Sequence, residues 1–155
     1  MYRFKKLDNN DEYLLIADDK QIKFKRVVED AKKLESINAL ATMKAIEYVA
    51  KQGYTMDNNP YIVERKENGK IIRDESNWNY IINVMKEQAT GEIIQDIIKD
   101  KLQMDLETLL TKVLKADINN EEDIKNKTFN FMKDFMYIIK NGEVEEEQKT
   151  PIRNN

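Results

Sequence analysis

Between Glu12 and Arg26 apolar positions recur at every second residue. Tyr13, Leu15 and Ala17 point one way and Leu14 and Ile16 the other, while Ile22 and Phe24 alternate with Lys23 and Lys25. A period of two is that of a half-buried strand, and Asp18-Asp19-Lys20 supplies turn formers, so residues 12–26 read as a β-hairpin. Tyr2 and Phe4 keep the same period, as a short edge strand would. At Val27 the spacing lengthens to that of a helix. Val27, Ala31, Leu34, Ala41, Ala45 and Tyr48 recur three and four apart, with Ile37 and Leu40 on the flank. No Gly or Pro intervenes before Gly53, a natural residue just past a helix end, and the pattern predicts one helix over 27–52. Asn38 is the polar exception in this stripe. Such an Asn either sets register between partner helices or is a satisfied core amide.

Asp57-Asn58-Asn59-Pro60 breaks the chain, because Pro60 pushes Asn59 out of the helical region. The runs 61–66 and 70–73 then flank Glu67-Asn68-Gly69. Asn-Gly suits a type I′ turn, in which both central residues need positive φ, and a second hairpin is predicted over 61–73. Asp74-Glu75 precede Ser76 or Asn77 as the N-cap of a helix over 76–102, striped by Trp78, Ile81, Ile82, Met85, Ala89, Ile93, Ile97 and Leu102, with Thr90-Gly91 as a candidate kink. Asp105 opens a helix over 105–116. Asn119 or Asn120 opens a last one over 120–141, closed by Asn141-Gly142. Residues 143–155 are acidic, polar and aperiodic and read as a disordered tail. The expectation is an α+β fold, mainly α, with about four helices packed against one or two small antiparallel hairpins in a single compact domain over 1–142. The hairpins do not alternate with helices as βαβ units would require, so no parallel sheet is expected.

Composition narrows the chemistry. The 155 residues contain no Cys and no His, which removes thiol nucleophiles, disulfides, Cys/His zinc sites and imidazole bases. Four Gly and two Pro leave no material for a phosphate-cradling loop. With 26 Lys+Arg against 29 Asp+Glu the net charge is −3, and residues 1–52 hold +11 and −9. A mixed-sign surface of this kind argues against nucleic acid as a partner. The opening residues lack the apolar core of a signal peptide and no apolar run approaches the ~20 residues of a spanning helix, so a cytoplasmic location and no membrane partner are expected.

Carboxylates make metal-dependent hydrolysis the enzyme class to weigh. Glu64-Arg65-Lys66 has the E-x-K form that ends a metal-dependent nuclease signature, with Asp57 upstream but too close and in a turn. The same residues serve as the solvated face of a hairpin. Asp74-Glu75 and Glu121-Glu122-Asp123 are better read as acids at helix N-termini than as metal or acid/base sites. No catalytic, metal or cofactor residue is therefore assigned, and the chain is read as non-enzymatic.

The order "LLIADDKQIKFKR", "VVEDAKKLESINALATMKAIEYVAKQGYT", "NNPYIVERKENGKIIRDESNW" and "DIIKDKLQMDLETLL" resembles that of small tail assembly chaperones of phages and prophages of low-GC Gram-positive hosts. The resemblance is one of layout over most of residues 4–115 and carries no catalytic residue. It implies a protein that coats the helical tape-measure protein, recruits tail-tube subunits and self-associates. The alternatives are a metal-dependent nuclease or other nucleic-acid-acting phage protein, and a small inhibitor of host defence. Within the last helix, Phe129, Met132, Phe135, Met136 and Ile139 share one face, with Phe131 and Ile138, and Ile124 below them, on an adjacent flank. The apolar arc is wider than the ~100° a docked surface helix needs. Either both flanks are buried between neighbours, or Phe131, Ile138 and Ile124 form a partner-binding or self-association surface.

Overall fold

The alternation that starts at Tyr2 is carried through three strands. In the computed structural model, which describes residues 1–145, β1 (Tyr2–Lys6), β2 (Glu12–Ala17) and β3 (Lys20–Lys25) form an antiparallel meander in the order β1-β2-β3. Phe4 stands opposite Leu15, and Tyr13 opposite Phe24. Because side chains alternate across a strand, this register places Phe4, Tyr13, Leu15, Ala17 and Phe24 on one face, and all five are buried. Asp18 closes the β2–β3 turn with φ at 53°, a left-handed conformation that a short Asp side chain tolerates.

The remaining elements are α1 (Val28–Glu35), α2 (Ile37–Lys51), the hairpin β4 (Val63–Glu67) and β5 (Lys70–Asp74), α3 (Ser76–Leu102), the single turn α4 (Leu106–Thr108), a π-helical turn over Leu109–Val113, and α5 (Glu121–Asn141). Helix makes up 54% of the described residues and strand 19%, so the fold is α+β and mainly α. The chain divides into two compact units where one domain was expected. The first unit comprises residues 1–35 and the chain from Ile94 onward, and the second comprises Ser36–Ile93.

In the first unit α5 lies on the meander through aromatic rings. Phe131 meets Tyr2 and Phe4 with ring centroids 5.5 and 5.7 Å apart, and Phe135 meets Phe24 at 5.5 Å. Such pairs add about 0.5–1.5 kcal/mol each beyond the area they bury. Both ends of α5 are satisfied locally. The Asn120 side chain accepts from the Asp123 N–H (3.2 Å), and Gly142, at φ 68°, donates its N–H to the Ile138 carbonyl (2.8 Å). A Cβ at Gly142 would stand 3.3 Å from the Arg26 guanidinium, which donates to the Ile139 and Lys140 carbonyls at 2.7 and 3.1 Å. A cation on the last carbonyls of a helix also opposes the negative end of its dipole. Asp30 of α1 and Lys101 of α3 form an ion pair at 2.8 Å with only 9% of each side chain exposed.

In the second unit the buried apolar residues are few, and half are alanine: Ala41, Ala45, Val49, Trp78, Ala89 and Ile93. Tyr54, Tyr61 and Trp78 make a short aromatic chain, with centroid distances of 6.0 and 6.5 Å. The β4–β5 hairpin has the expected turn, with φ of 53° at Asn68 and 77° at Gly69.

Several boundaries differ from those the sequence predicts. The helix expected over 27–52 is two helices parted at Ser36, where φ −100° and ψ 12° leave the helical region and the Leu40 N–H restarts the bonding on the Ser36 carbonyl. Neither Gly nor Pro marks the break, and the apolar spacing runs through it, so periodicity alone joins the halves. Tyr48, placed in the buried stripe by its spacing, is exposed, and Val49 takes its place. Neither Ser76 nor Asn77 takes the expected N-cap position: Ser76 is already helical, the Glu75 carbonyl accepts from the Asn79 N–H at 2.9 Å, and the Asp74 carboxylate accepts from the Ser76 N–H and hydroxyl at 2.9 and 2.6 Å. Those bonds hold the Asp74 carboxyl below its ordinary range. Asp105 does cap α4, accepting from the Thr108 N–H at 2.8 Å, but the helix expected over 105–116 passes at once into the π-helical turn. Helix α3 runs unbroken through Thr90-Gly91. The expected tail begins too early. Val144 is 3% exposed, because the left-handed turn at Gly142 redirects the chain and allows one more apolar residue to be buried. Residues 146–155 of that tail lie outside the described residues.

Candidate functional site

The residues singled out as a partner surface on α5 are not on the surface. Phe131 and Ile138 are 0% and 1% exposed, with Ile124 half-buried. Phe129, expected on the buried face, is 68% exposed. The buried face of α5 is the one carrying Phe131, Phe135, Ile138 and Ile139. The helical wheel gave the width of the apolar arc correctly but not which part of it meets the sheet. The three rings of Tyr2, Phe4 and Phe24 decide that, because they pair with Phe131 and Phe135.

The acidic motifs disperse in the fold. Glu64 and Lys66 lie on the exposed strand β4, where Glu64 faces Arg73 of β5 at 3.6 Å. Glu75 pairs with the Arg73 Nε at 2.9 Å, and Asp123 accepts from the Asp117 N–H at 2.8 Å and pairs with Lys127 at 3.2 Å. Among the described residues no group of three or more Asp and Glu side chains converges as a metal would require.

An open cleft of about 510 Å³ in the first unit is lined in part by Tyr2, Lys115, Lys127, Asn130, Lys133 and Asp134. Three ammonium groups suggest an anion, yet half of these six polar side chains are already held. The Tyr2 hydroxyl donates to Asp134 Oδ2 at 2.8 Å, and Lys127 donates to the Lys115 carbonyl at 3.1 Å while pairing with Asp123. Burial, and next the bond to Asp134, push the Tyr2 hydroxyl well above its ordinary pKa. The hydroxyl therefore stays protonated and serves as a fixed donor, locking β1 to α5.

The apolar surface lies elsewhere. Among the described residues, eight of the twelve large apolar side chains that stand exposed belong to Ser36–Ile93: Met43, Ile46 and Tyr48 on α2, Met56, Val63 and Ile71 around the hairpin, and Tyr80 and Val84 one turn apart on α3. Pattern reading misses these positions because a helix with two apolar stripes shows the same spacings as a helix with one broad stripe. The signal that could have found them is Ala39, Met43, Ile46 and Ala50, a run spaced four, three and four in addition to Ala41, Ala45 and Val49.

Comparisons with protein-family models, with curated proteins and with solved structures give no match. Among the described residues no helix is long and apolar enough to cross a membrane.

Proposed function

We propose that this chain is a non-enzymatic, protein-binding chaperone of phage tail assembly, acting in the host cytoplasm on the helical tape-measure protein and on tail-tube subunits. The layout resemblance supplies the class of client. The observation that carries the reading is the concentration of exposed apolar side chains in Ser36–Ile93, against a core there of only six buried apolar residues, three of them alanine. Apolar side chains in water at that density, with flexible methionines among them, suit a surface that repacks against helical partners. Tyr80 and Val84, four residues apart on α3, give an anchor pair for an amphipathic helix.

The test is co-purification with a coiled-coil fragment of a tape-measure protein. Capture by the wild type, and its loss in Tyr80→Glu/Val84→Glu with the circular dichroism spectrum unchanged, is the expected result. A wild-type chain that captures no such fragment at tens of micromolar would remove the reading.

A further inference from the structure

Helix α2 carries two apolar stripes, and among the described residues only one is buried. Ala41, Ala45 and Val49 are buried. Ala39, Met43, Ile46 and Ala50 are exposed, with Met43 and Ile46 at 62% and 52%. At 100° per residue these four fall within roughly 60° of one another and about 130° around the helix from the buried stripe. Their spacing of four, three and four is that of alternating d and a positions in a coiled coil.

The exposed stripe also reads the same in both directions: small, large, large, small. Two copies laid antiparallel about an axis midway between Met43 and Ile46 would set Met43 against Ile46 of the second copy, and Ala39 against its Ala50, in every layer. The alanines at each end would let the backbones approach. The same twofold sets Leu40 of the second copy against Glu47 at the flank, with Lys44 of that copy further round on the same side and within side-chain reach of Glu47, twice by symmetry. Among the described residues neither Lys44 nor Glu47 has an ion-pair partner. A parallel arrangement offers no such pair, since Thr42 and Val49 occupy the flanking positions that would face Glu47.

We infer that α2 is a self-association seam, which pairs antiparallel with α2 of a second copy of this chain through Ala39, Met43, Ile46 and Ala50. The apolar pattern and the charges favour a second copy over an unrelated helix because both are self-complementary under one rotation, as an isologous contact requires. The seam is about 17 Å long and one helix wide, less than the ~1,200 Å² total that tight complexes bury. The dimer therefore dissociates on dilution. The inference is independent of the client surface assigned to Tyr80 and Val84, so either can fail alone.

Sedimentation equilibrium of the full chain over a range of concentrations tests it. The expected result is a monomer–dimer equilibrium that Ile46→Glu abolishes. Lys44→Glu should weaken it several-fold by facing two carboxylates, and adding Glu47→Lys should restore it. These positions are exposed, so each variant should keep the wild-type circular dichroism spectrum, and the charge swap touches no apolar residue. Orientation is read separately, because the chain has no Cys of its own. Under oxidation a mixture of Ala39→Cys and Ala50→Cys chains should cross-link, while Ala50→Cys alone should not. A chain monomeric at every concentration, a dimer indifferent to Ile46→Glu and to the charge swap, or cross-linking of Ala50→Cys alone would each overturn the antiparallel seam.

Discussion

The two units of this chain are built from similar material and use it differently. The first, residues 1–35 with the chain from Ile94, buries rings against rings: Phe4, Tyr13, Phe24, Phe131 and Phe135 are all at most 3% exposed. Its ion pair, Asp30–Lys101, lies in the interior. The second, Ser36–Ile93, buries alanines and leaves Met43, Ile46, Ile71 and Tyr80 in water. A hairpin with every residue of β4 exposed has little to gain from folding beyond its own ladder. The contrast teaches that apolar content alone does not mark a core. Placement relative to a second packed layer does, and the first unit has one in the helix α5 lying over the sheet.

The largest test of this contrast falls on α5. Phe131→Glu with Ile138→Glu places two carboxylates among buried rings, each costing several kcal/mol, and the first unit should lose its cooperative melt altogether. A folded double variant would show that α5 is not the lid of this core.

Next in size is the interior ion pair. Asp30→Ala leaves the 9% exposed Lys101 ammonium with only the largely solvated Asp100 carboxylate at 3.6 Å, and the expected loss is about 3 kcal/mol in a denaturant titration. Asp30→Leu with Lys101→Met should recover most of it, because breaking a buried pair costs more than replacing it. If both variants are equally unstable, the pair contributes attraction beyond its own desolvation.

Alkaline pH gives a graded version of the same comparison. Burial, and then the nearby Asp11 charge, push the Tyr13 hydroxyl from 10.0 up to about 12. A group protonated more firmly in the folded state contributes fully below its unfolded pKa and loses that contribution as pH rises toward the folded value. Stability of the first unit should therefore be flat up to about pH 10 and fall above it, through Tyr13 between about 10 and 12 and through the still higher Tyr2 hydroxyl beyond, with Tyr13→Phe making the decline shallower and Tyr2 carrying the rest. Absorbance of tyrosinate against ellipticity would follow both events, and a decline of the same slope in Tyr13→Phe would assign it elsewhere.

The smallest effect belongs to the second unit. Ile71 is 66% exposed on β5, and Ile71→Thr should change the denaturation midpoint by less than about 0.5 kcal/mol, as surface substitutions do. A loss of 2 kcal/mol or more would mean that this side chain is covered and that the contrast between the units is smaller than it looks.

Much of the local structure was legible in the residues themselves. Strict alternation from Tyr13 to Lys25, Asn68-Gly69 at the second turn, Asp105 and Asn120 at helix starts and Gly142 at a helix end all act through bonds and dihedrals within a few residues, so sequence determines them. The break at Ser36, the bonds from Ser76 to Asp74 and the burial of Val144 were not legible. Each depends on where the chain goes next, which no local preference encodes.

The same division explains the fate of the sites. The sequence by itself determined that no Cys or His chemistry exists here and that α5 would carry a broad apolar arc. Tertiary structure decided which part of an apolar arc is used. It seated Phe131 and Phe135 against the sheet because the rings of Tyr2, Phe4 and Phe24 lie there, and it left Met43 and Ile46 exposed. Periodicity specifies a helix face only up to rotation about the helix axis, and the surface packed against it supplies the missing angle.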